Sequence, residues 1–188
     1  LQGIGELRYH ASSARPDLHT SICVVGKFSA KHTKEHFHAL KNIMLYLKDT
    51  IDVPLIFTAG LFGPDGCIRI ELFTDSAHNS CSITGRSMSG WVVAVNDQPV
   101  LWHAERQSLV TLSSTHAEVV ACSDGIKDSI YTCDIISEFH KMQYPVIVHQ
   151  DNMATIQMFS DPINNGTTKY TAVKHFWTHE FIDDGTVK

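Results

Sequence analysis

The chain reads as an α/β protein built on a mixed sheet, with a small helical segment in front of it. Three observations predict this. Residues 67–74, CIRIELFT, alternate apolar and polar side chains as a half-buried strand does. A strand–turn–strand pattern follows in GWVVAV (90–95), Asn96-Asp97 and PVLWH (99–103). Helical periodicities and one short apolar run, VIVH (146–149), then alternate towards the C-terminus, the order of elements that a mixed sheet flanked by helices requires.

The first 60 or so residues are helical in pattern. Pro16 is placed to start a helix carrying Leu18, Ile22, Val25 and Phe28 at spacings of three and four. Thr33 can cap the next one, in which Phe37, Leu40, Met44 and Leu47 make an apolar stripe. Asp52-Val53-Pro54 breaks that pattern before the apolar run LIF (55–57), and AGLFGPDG (59–66), dense in Gly and Pro, reads as a linker. After the three predicted strands, residues 113–124 and 126–140 read as two helices. VIVH is a buried strand, 152–160 a helix, NNGTT (164–168) a loop and 171–182 a last helix.

A chain of 188 residues accommodates one full domain plus a smaller piece. Hydrophobic residues at 43% and charged ones at 19% fit a globular protein. No apolar run approaches the roughly 20 residues that span a bilayer, so no membrane partner is expected. The start, LQGIGELRYH, has no secretory leader pattern, and its opening leucine reads as a fragment of a longer polypeptide. Five cysteines form no CxxC pair, and the odd number favours reduced thiols inside the cell. A net charge of −5 argues against a free-standing nucleic-acid binder, although a catalytic acid cluster would itself contribute negative charges that bound metal neutralises.

Three carboxylates fit one pattern. Asp75 ends the apolar run IRIELFTD, Asp151 follows VIVHQ, and Glu118 lies inside the amphipathic run LSSTHAEVVACSDG. Two strand-borne aspartates and a helix-borne glutamate can meet at the edge of a mixed sheet. Converging carboxylates of that kind hold magnesium ions that cut phosphodiester bonds. Ser113 and Ser114 read as caps of the Glu118 helix, Asn152 as a helix-start residue, and Trp91 and Trp102 as core or rim aromatics.

The same residues carry a family resemblance. The stretch 14–50 is similar to the RPD and KEHW…A.KRILRYLKGT region of Ty1/copia-type retrotransposon polyproteins. FTDSAH (73–78) resembles that family's strand-borne aspartate motif, TGRSMSGW (84–91) its RKSTSGY element, and VLWHAERQSLVTLSSTHAE (100–118) its W.SKKQ..VALSSTEAE element. QDNMATI (150–156) resembles CDNQSAI. The resemblance implies a ribonuclease H-like domain over 67–188, after a thumb or connection remnant of reverse transcriptase over 1–58. It implies hydrolysis of the RNA strand of an RNA–DNA hybrid with two Mg²⁺ ions, for which Mn²⁺ can substitute. By the match Asp75 bridges both ions, and Glu118 and Asp151 each hold one side. Ser89, Ser114, Asn152 and Lys169 are the implied substrate-binding residues. The implied partners are the hybrid and the remainder of the reverse transcriptase polyprotein, in the cytoplasm within a virus-like particle or in the nucleus.

One motif departs from the family. Its last helix reads TKHIDIRYHFIRE, with a fourth catalytic aspartate, where this chain has TKYTAVKHFWTHE (168–180) and so Ala172. His175 and His179 lie one and two turns along the same face and are the candidates to replace the missing ligand, with Mn²⁺ the better suited ion. Impaired activity is therefore expected. The alternative is an inactive module that still binds hybrid or a protein partner. HTKEH (32–36), with His38 nearby, also fits a zinc-protease pattern, but in a chain with twelve histidines and a matching retroelement helix this reads as incidental.

Overall fold

The computed structural model describes residues 2–58, 62, 67–160 and 169–188, with the side chains of 169–171 outside that set. The chain divides into two units: residues 1–57 with 103–105, and residues 58–102 with 106–188. The expected linker 59–66, apart from Phe62, and the expected loop 164–168 lie outside the described residues.

In the first unit, α1 (Gln2–Ser13), α2 (Pro16–Gly26) and α3 (Lys34–Asp49) bury Leu7, Ala11, Leu18, Ile22, Val25 and Ile43. Pro16 opens α2 where its missing N–H costs nothing. Thr33 caps α3, its backbone N–H donating to His36 Nδ1 at 3.0 Å. The buried stripe of α3 differs from the expected one. Ile43 is buried with Ala39, Leu40 and Leu47 packed beside it, while Phe37 and Met44 are exposed. Several apolar side chains compete for one face here, and the helix rotates towards the set spaced 40, 43 and 47. LIF (55–57) has no regular structure, and Phe28 lies beyond the end of α2, stacked on His36.

In the second unit, β1 (Ile70–Ala77), β2 (Met88–Val95), β3 (Gln98–Arg106) and β4 (Val146–His149) form one sheet in the order β3-β2-β1-β4. β1 and β2 are antiparallel, and β4 joins β1 in parallel, so the sheet is mixed as expected. Asn96 and Asp97 both adopt positive φ (49° and 64°), the two-residue turn that matches strand twist. Thr186–Lys188 add a parallel bridge to β4, with Val146 N–H donating to the Thr186 carbonyl at 2.8 Å. The helices α4 (Ser114–His140), α5 (Met153–Ser160) and α6 (Lys169–Asp183) enclose a core of Ile70, Leu72, Trp91, Val93, Val119 and Ile126.

The two helices expected over 113–140 are one, the 27-residue α4. Gly125 is not a break but a point of close approach. A Cβ there would lie 2.9 Å from Leu72 Cδ1, 3.1 Å from Thr74 Cγ2 and 3.2 Å from Trp91 Cβ. Gly125→Ala should therefore destabilise the domain, because overpacking of about 1–3 kcal/mol exceeds the roughly 0.5–1 kcal/mol that alanine returns to a helix. The urea midpoint should fall. A midpoint equal to or above the native one would mean that helix and sheet have room to spare.

Candidate active site

Alternation along β1 decides where its acid points. Ile70, Leu72 and Thr74 are buried, with Leu72 and Thr74 against α4, so Phe73 and Asp75 emerge exposed on the opposite side. Asp75 sits inside β1, which continues to Ala77, not at its end. Ser113 caps α4, its hydroxyl accepting from His116 N at 3.2 Å. That start places Glu118 within a run of buried residues, Ala117 to Ser123, and leaves it 5% exposed.

A carboxylate so buried needs partners. Glu118 Oε1 accepts from Ser76 N at 3.1 Å and from Ser76 Oγ at 2.8 Å, and Oε2 accepts from Gln150 Nε2 at 3.3 Å. Burial pushes the Glu118 carboxyl above its ordinary range. The bonds from Ser76 and Gln150 pull against that, and the nearby Asp75 charge adds to it. The site thus stores the cost of two negative groups, which a cation would relieve.

Asp151 is exposed. β4 pairs with β1 so that His149 lies opposite Phe73. Asp75, still on β1, and Asp151, past the end of β4, each stand two residues beyond that pair. An open cleft of about 460 Å³ lies here, lined by Phe73, Thr74, Val148, His149, Gln150 and Asp151. Among the described residues, no three His, Cys, Asp or Glu side chains come close enough to form a metal cage by themselves. The structure brings Glu118 under the charge of Asp75 and places Asp151 two residues past the end of β4, without closing the three acids into one cluster. That donor set still fits Mg²⁺ or Mn²⁺, which binds through one or two carboxylates while keeping waters and borrowing phosphate oxygens.

The other expected residues fall in different places. His175 is 1% exposed, and its Nε2 donates to the Met158 carbonyl at 2.5 Å. His179 is buried beside it, ring centroids 4.7 Å apart, and neither of its ring nitrogens has a partner among the described residues. Both histidines are packed into the fold through α6, an arrangement that does not suit replacement of a metal ligand. Ala172 is half-buried on the same helix. Ser89 is 2% exposed and accepts from Gln107 Nε2 at 2.8 Å, so it belongs to the interior and not to a substrate surface. Ser114 is exposed on the first turn of α4. Asn152 Oδ1 accepts from Ala154 N and Thr155 N, capping α5. The Lys169 side chain lies outside the described residues. In the HTKEH segment, His36 is engaged with Thr33 and Phe28, as above, and forms no metal cluster there.

Three residues that hold the site escaped the sequence reading. Ser76 and Gln150 are neighbours in sequence of Asp75 and Asp151, and that adjacency was the available signal. Gln107 is buried and donates through Nε2 to Ser89 Oγ and, at 2.9 Å, to the Ala117 carbonyl, tying β2 to the turn that carries Glu118. None of the five cysteines forms a disulfide, and no helix among the described residues is long and apolar enough to cross a membrane.

No protein-family model matches the chain. It is 27% identical over 185 residues to the retrovirus-related Pol polyprotein from transposon TNT 1-94 of Nicotiana tabacum, a match covering 98% of this chain and 14% of that protein. It is 22% identical over 186 residues to the Pol polyprotein from transposon RE2 of Arabidopsis thaliana, covering 98% of this chain and 12% of that one. Among solved structures it is similar to RNase H1 from Halobacterium salinarum NRC-1, with 15% identity, a TM-score of 0.45, and coverage of 63% of this chain and 80% of that one. The chain thus spans only a small part of the polyproteins it matches. By sequence the chain is similar to transposon Pol polyproteins along nearly its whole length, and its fold is the mixed sheet with flanking helices that the sequence leads one to expect.

Proposed function

We propose that the second unit is a metal-dependent nuclease that cuts the RNA strand of RNA–DNA hybrids, with its rate lowered by the lack of a fourth carboxylate. The observation that carries this reading is the buried Glu118, held ionisable by Ser76 and Gln150 under the charge of Asp75. Asp75 and the Oε2 of Glu118 would hold one divalent ion, and Asp151 with substrate oxygens would hold a second. Bound magnesium or manganese supplies Lewis-acid stabilisation of the phosphoryl oxygens and a more acidic water.

The chain's own residues do the rest. Ser76 engages Oε1 of Glu118 with two hydrogen bonds, so Oε2, which accepts once from Gln150, would keep a lone pair for a cation. Asp75 and Asp151 are both exposed, Asp151 at the open cleft, and can reach a phosphate that the buried Glu118 cannot. Ser114 at the start of α4 offers a hydroxyl to the nucleic-acid backbone, and Asn152 keeps its Nδ2 for the same purpose while Oδ1 caps α5. Such contacts read the backbone and 2′-hydroxyls and not the bases, as a substrate without fixed sequence requires.

A second reading is favoured by Ala172: a hybrid-binding module that no longer cuts. A labelled hybrid incubated with Mn²⁺ and then with Mg²⁺ separates the two. The nuclease reading expects slow cleavage, faster in Mn²⁺, whereas binding without cleavage in either ion would favour the module. Equal or faster cleavage in Mg²⁺ would contradict the impairment.

A further inference from the structure

We propose that Gln150 is a positioning residue that sets Glu118 and the Asp151 turn as one unit for capture of a divalent cation. This rests on the reading of Asp75 and Glu118 as the cation site. One carboxamide makes three contacts that join three elements. Its Nε2 donates to Glu118 Oε2 on α4 at 3.3 Å and to Thr74 Oγ1 on β1 at 3.1 Å. Its Oε1 accepts the backbone N–H of Asn152 at 3.0 Å, which closes the turn that presents Asp151 and starts α5.

The surroundings make these contacts firm. Gln150 is half-buried and lines a cavity of about 200 Å³ with apolar Cys122, Ile126 and Phe159 and with Ser160, Thr178 and Lys188. An amide that gave up its three partners in so largely apolar a setting would lose hydrogen bonds at a cost in free energy. The side chain is therefore held with its donors on the acid and its acceptor on the turn.

The geometry also divides the labour within Glu118. Oε1 is committed to Ser76 twice, and among the described residues Oε2 takes its hydrogen bond from Gln150, so the two partners together fix the plane of the carboxylate. The related family motif, CDNQSAI, has cysteine at this position. A thiol is a single weak donor and acceptor and cannot span Glu118, Thr74 and Asn152 together. The three-way tie thus depends on the carboxamide, in a chain that has Ala172 where the family motif has a carboxylate. With fewer ligands to gather an ion, the positions of the remaining ones matter more.

The test compares the native chain with Gln150→Met, which keeps length and removes both donor and acceptor, and with Gln150→Glu, which keeps the acceptor for Asn152. Two readouts avoid activity altogether: Mn²⁺ affinity by calorimetry, and hydrogen exchange of the Asn152 amide. Loss of an outer hydrogen-bond partner weakens metal binding by about 10–100-fold. Gln150→Met should show a loss in that range and faster Asn152 exchange, while Gln150→Glu should keep Asn152 exchange close to native. Either quantity staying within about twofold of native in Gln150→Met overturns the proposal. Should that variant not fold, the native protein decides: the Gln150 carboxamide protons should shift in NMR spectra on adding Mg²⁺ along with Glu118, and their staying fixed while Glu118 shifts overturns it. If native protein binds Mn²⁺ but cuts no hybrid, the nuclease reading fails while this one stands. If native protein binds no Mn²⁺ or Mg²⁺, both fall.

Discussion

Glu118→Gln should reduce hybrid cleavage by about a thousandfold or more, since losing several kcal/mol of charge stabilisation in the transition state costs a factor of ten for each 1.36 kcal/mol. Glutamine is nearly the size of glutamate and can still accept from Ser76 through its oxygen, while its amide donor would meet the Gln150 Nε2 donor, so the change tests charge and one 3.3 Å hydrogen bond and not packing. Stability separates loss of function from loss of fold. Because the folded site holds the Glu118 carboxyl above its ordinary value, the native state binds the proton more readily than the unfolded chain does. Native stability therefore falls as pH rises from the unfolded value of Glu118 through its raised folded one, and the ionised group opposes folding above that window. Glu118→Gln removes this opposition, so at pH 7 and without added metal it should melt at or above the native temperature while being inactive. Native-like cleavage by this variant would remove Glu118 from the mechanism. A variant that melts well below native would mean that its hydrogen bonds outweigh its charge.

The same reasoning fixes the acid limb of the rate profile. If Glu118 must be ionised to hold a cation, proton and metal compete for it, so Mn²⁺ affinity and with it native activity should fall as pH drops into the range where the carboxyl takes up its proton.

The second large effect is a gain. Ala172→Asp should raise the hybrid-cleavage rate by at least about tenfold and bring the Mg²⁺ rate up to the Mn²⁺ rate, since a carboxylate of this kind is the oxygen ligand that a hard, octahedral ion requires. Position 172 lies in the first turn of α6 (Lys169–Asp183), where the helix dipole also favours a negative side chain. Half-buried Ala172 leaves a short aspartate partly wetted, so the change should be tolerated. A faster variant would mean that the missing acid is the principal defect. An unchanged rate, in a variant that folds and binds Mn²⁺ as the native chain does, would mean that something beyond this ligand limits the reaction.

How much of this was legible in the letters varies by element. The β2–β3 hairpin was readable because Asn96-Asp97 names its own turn, and β1 because a strand with one buried face alternates. The three acids stood out in the sequence because each sits beside an apolar run, and their joint role is part of the proposal. Gly125 misled because glycine in a helix serves two purposes, a break or a close approach, and only the positions of Leu72, Thr74 and Trp91 decide between them. The α3 stripe misled because its apolar residues offer more than one face. His175 and His179 shared the expected helix face, yet one-dimensional spacing does not say what covers that face, and His175 is bonded to the Met158 carbonyl from α5. Ser89 was invisible as a core residue for the same reason: its partner Gln107 lies on a different segment. The hydrogen bonds of Ser76 and Gln150 to Glu118 join residues 42 and 32 positions apart, which no local pattern records.

The central claim is that Asp75 and Glu118 work as one cation site on a phosphodiester. The most direct measurement is strand-resolved cleavage of a hybrid labelled on both strands, in Mn²⁺ at neutral pH, by native protein and by Asp75→Asn. The account predicts cuts in the RNA strand alone, abolished by chelator and reduced at least a thousandfold in Asp75→Asn. Cleavage of equal strength by Asp75→Asn, or cleavage that survives the chelator, would contradict it.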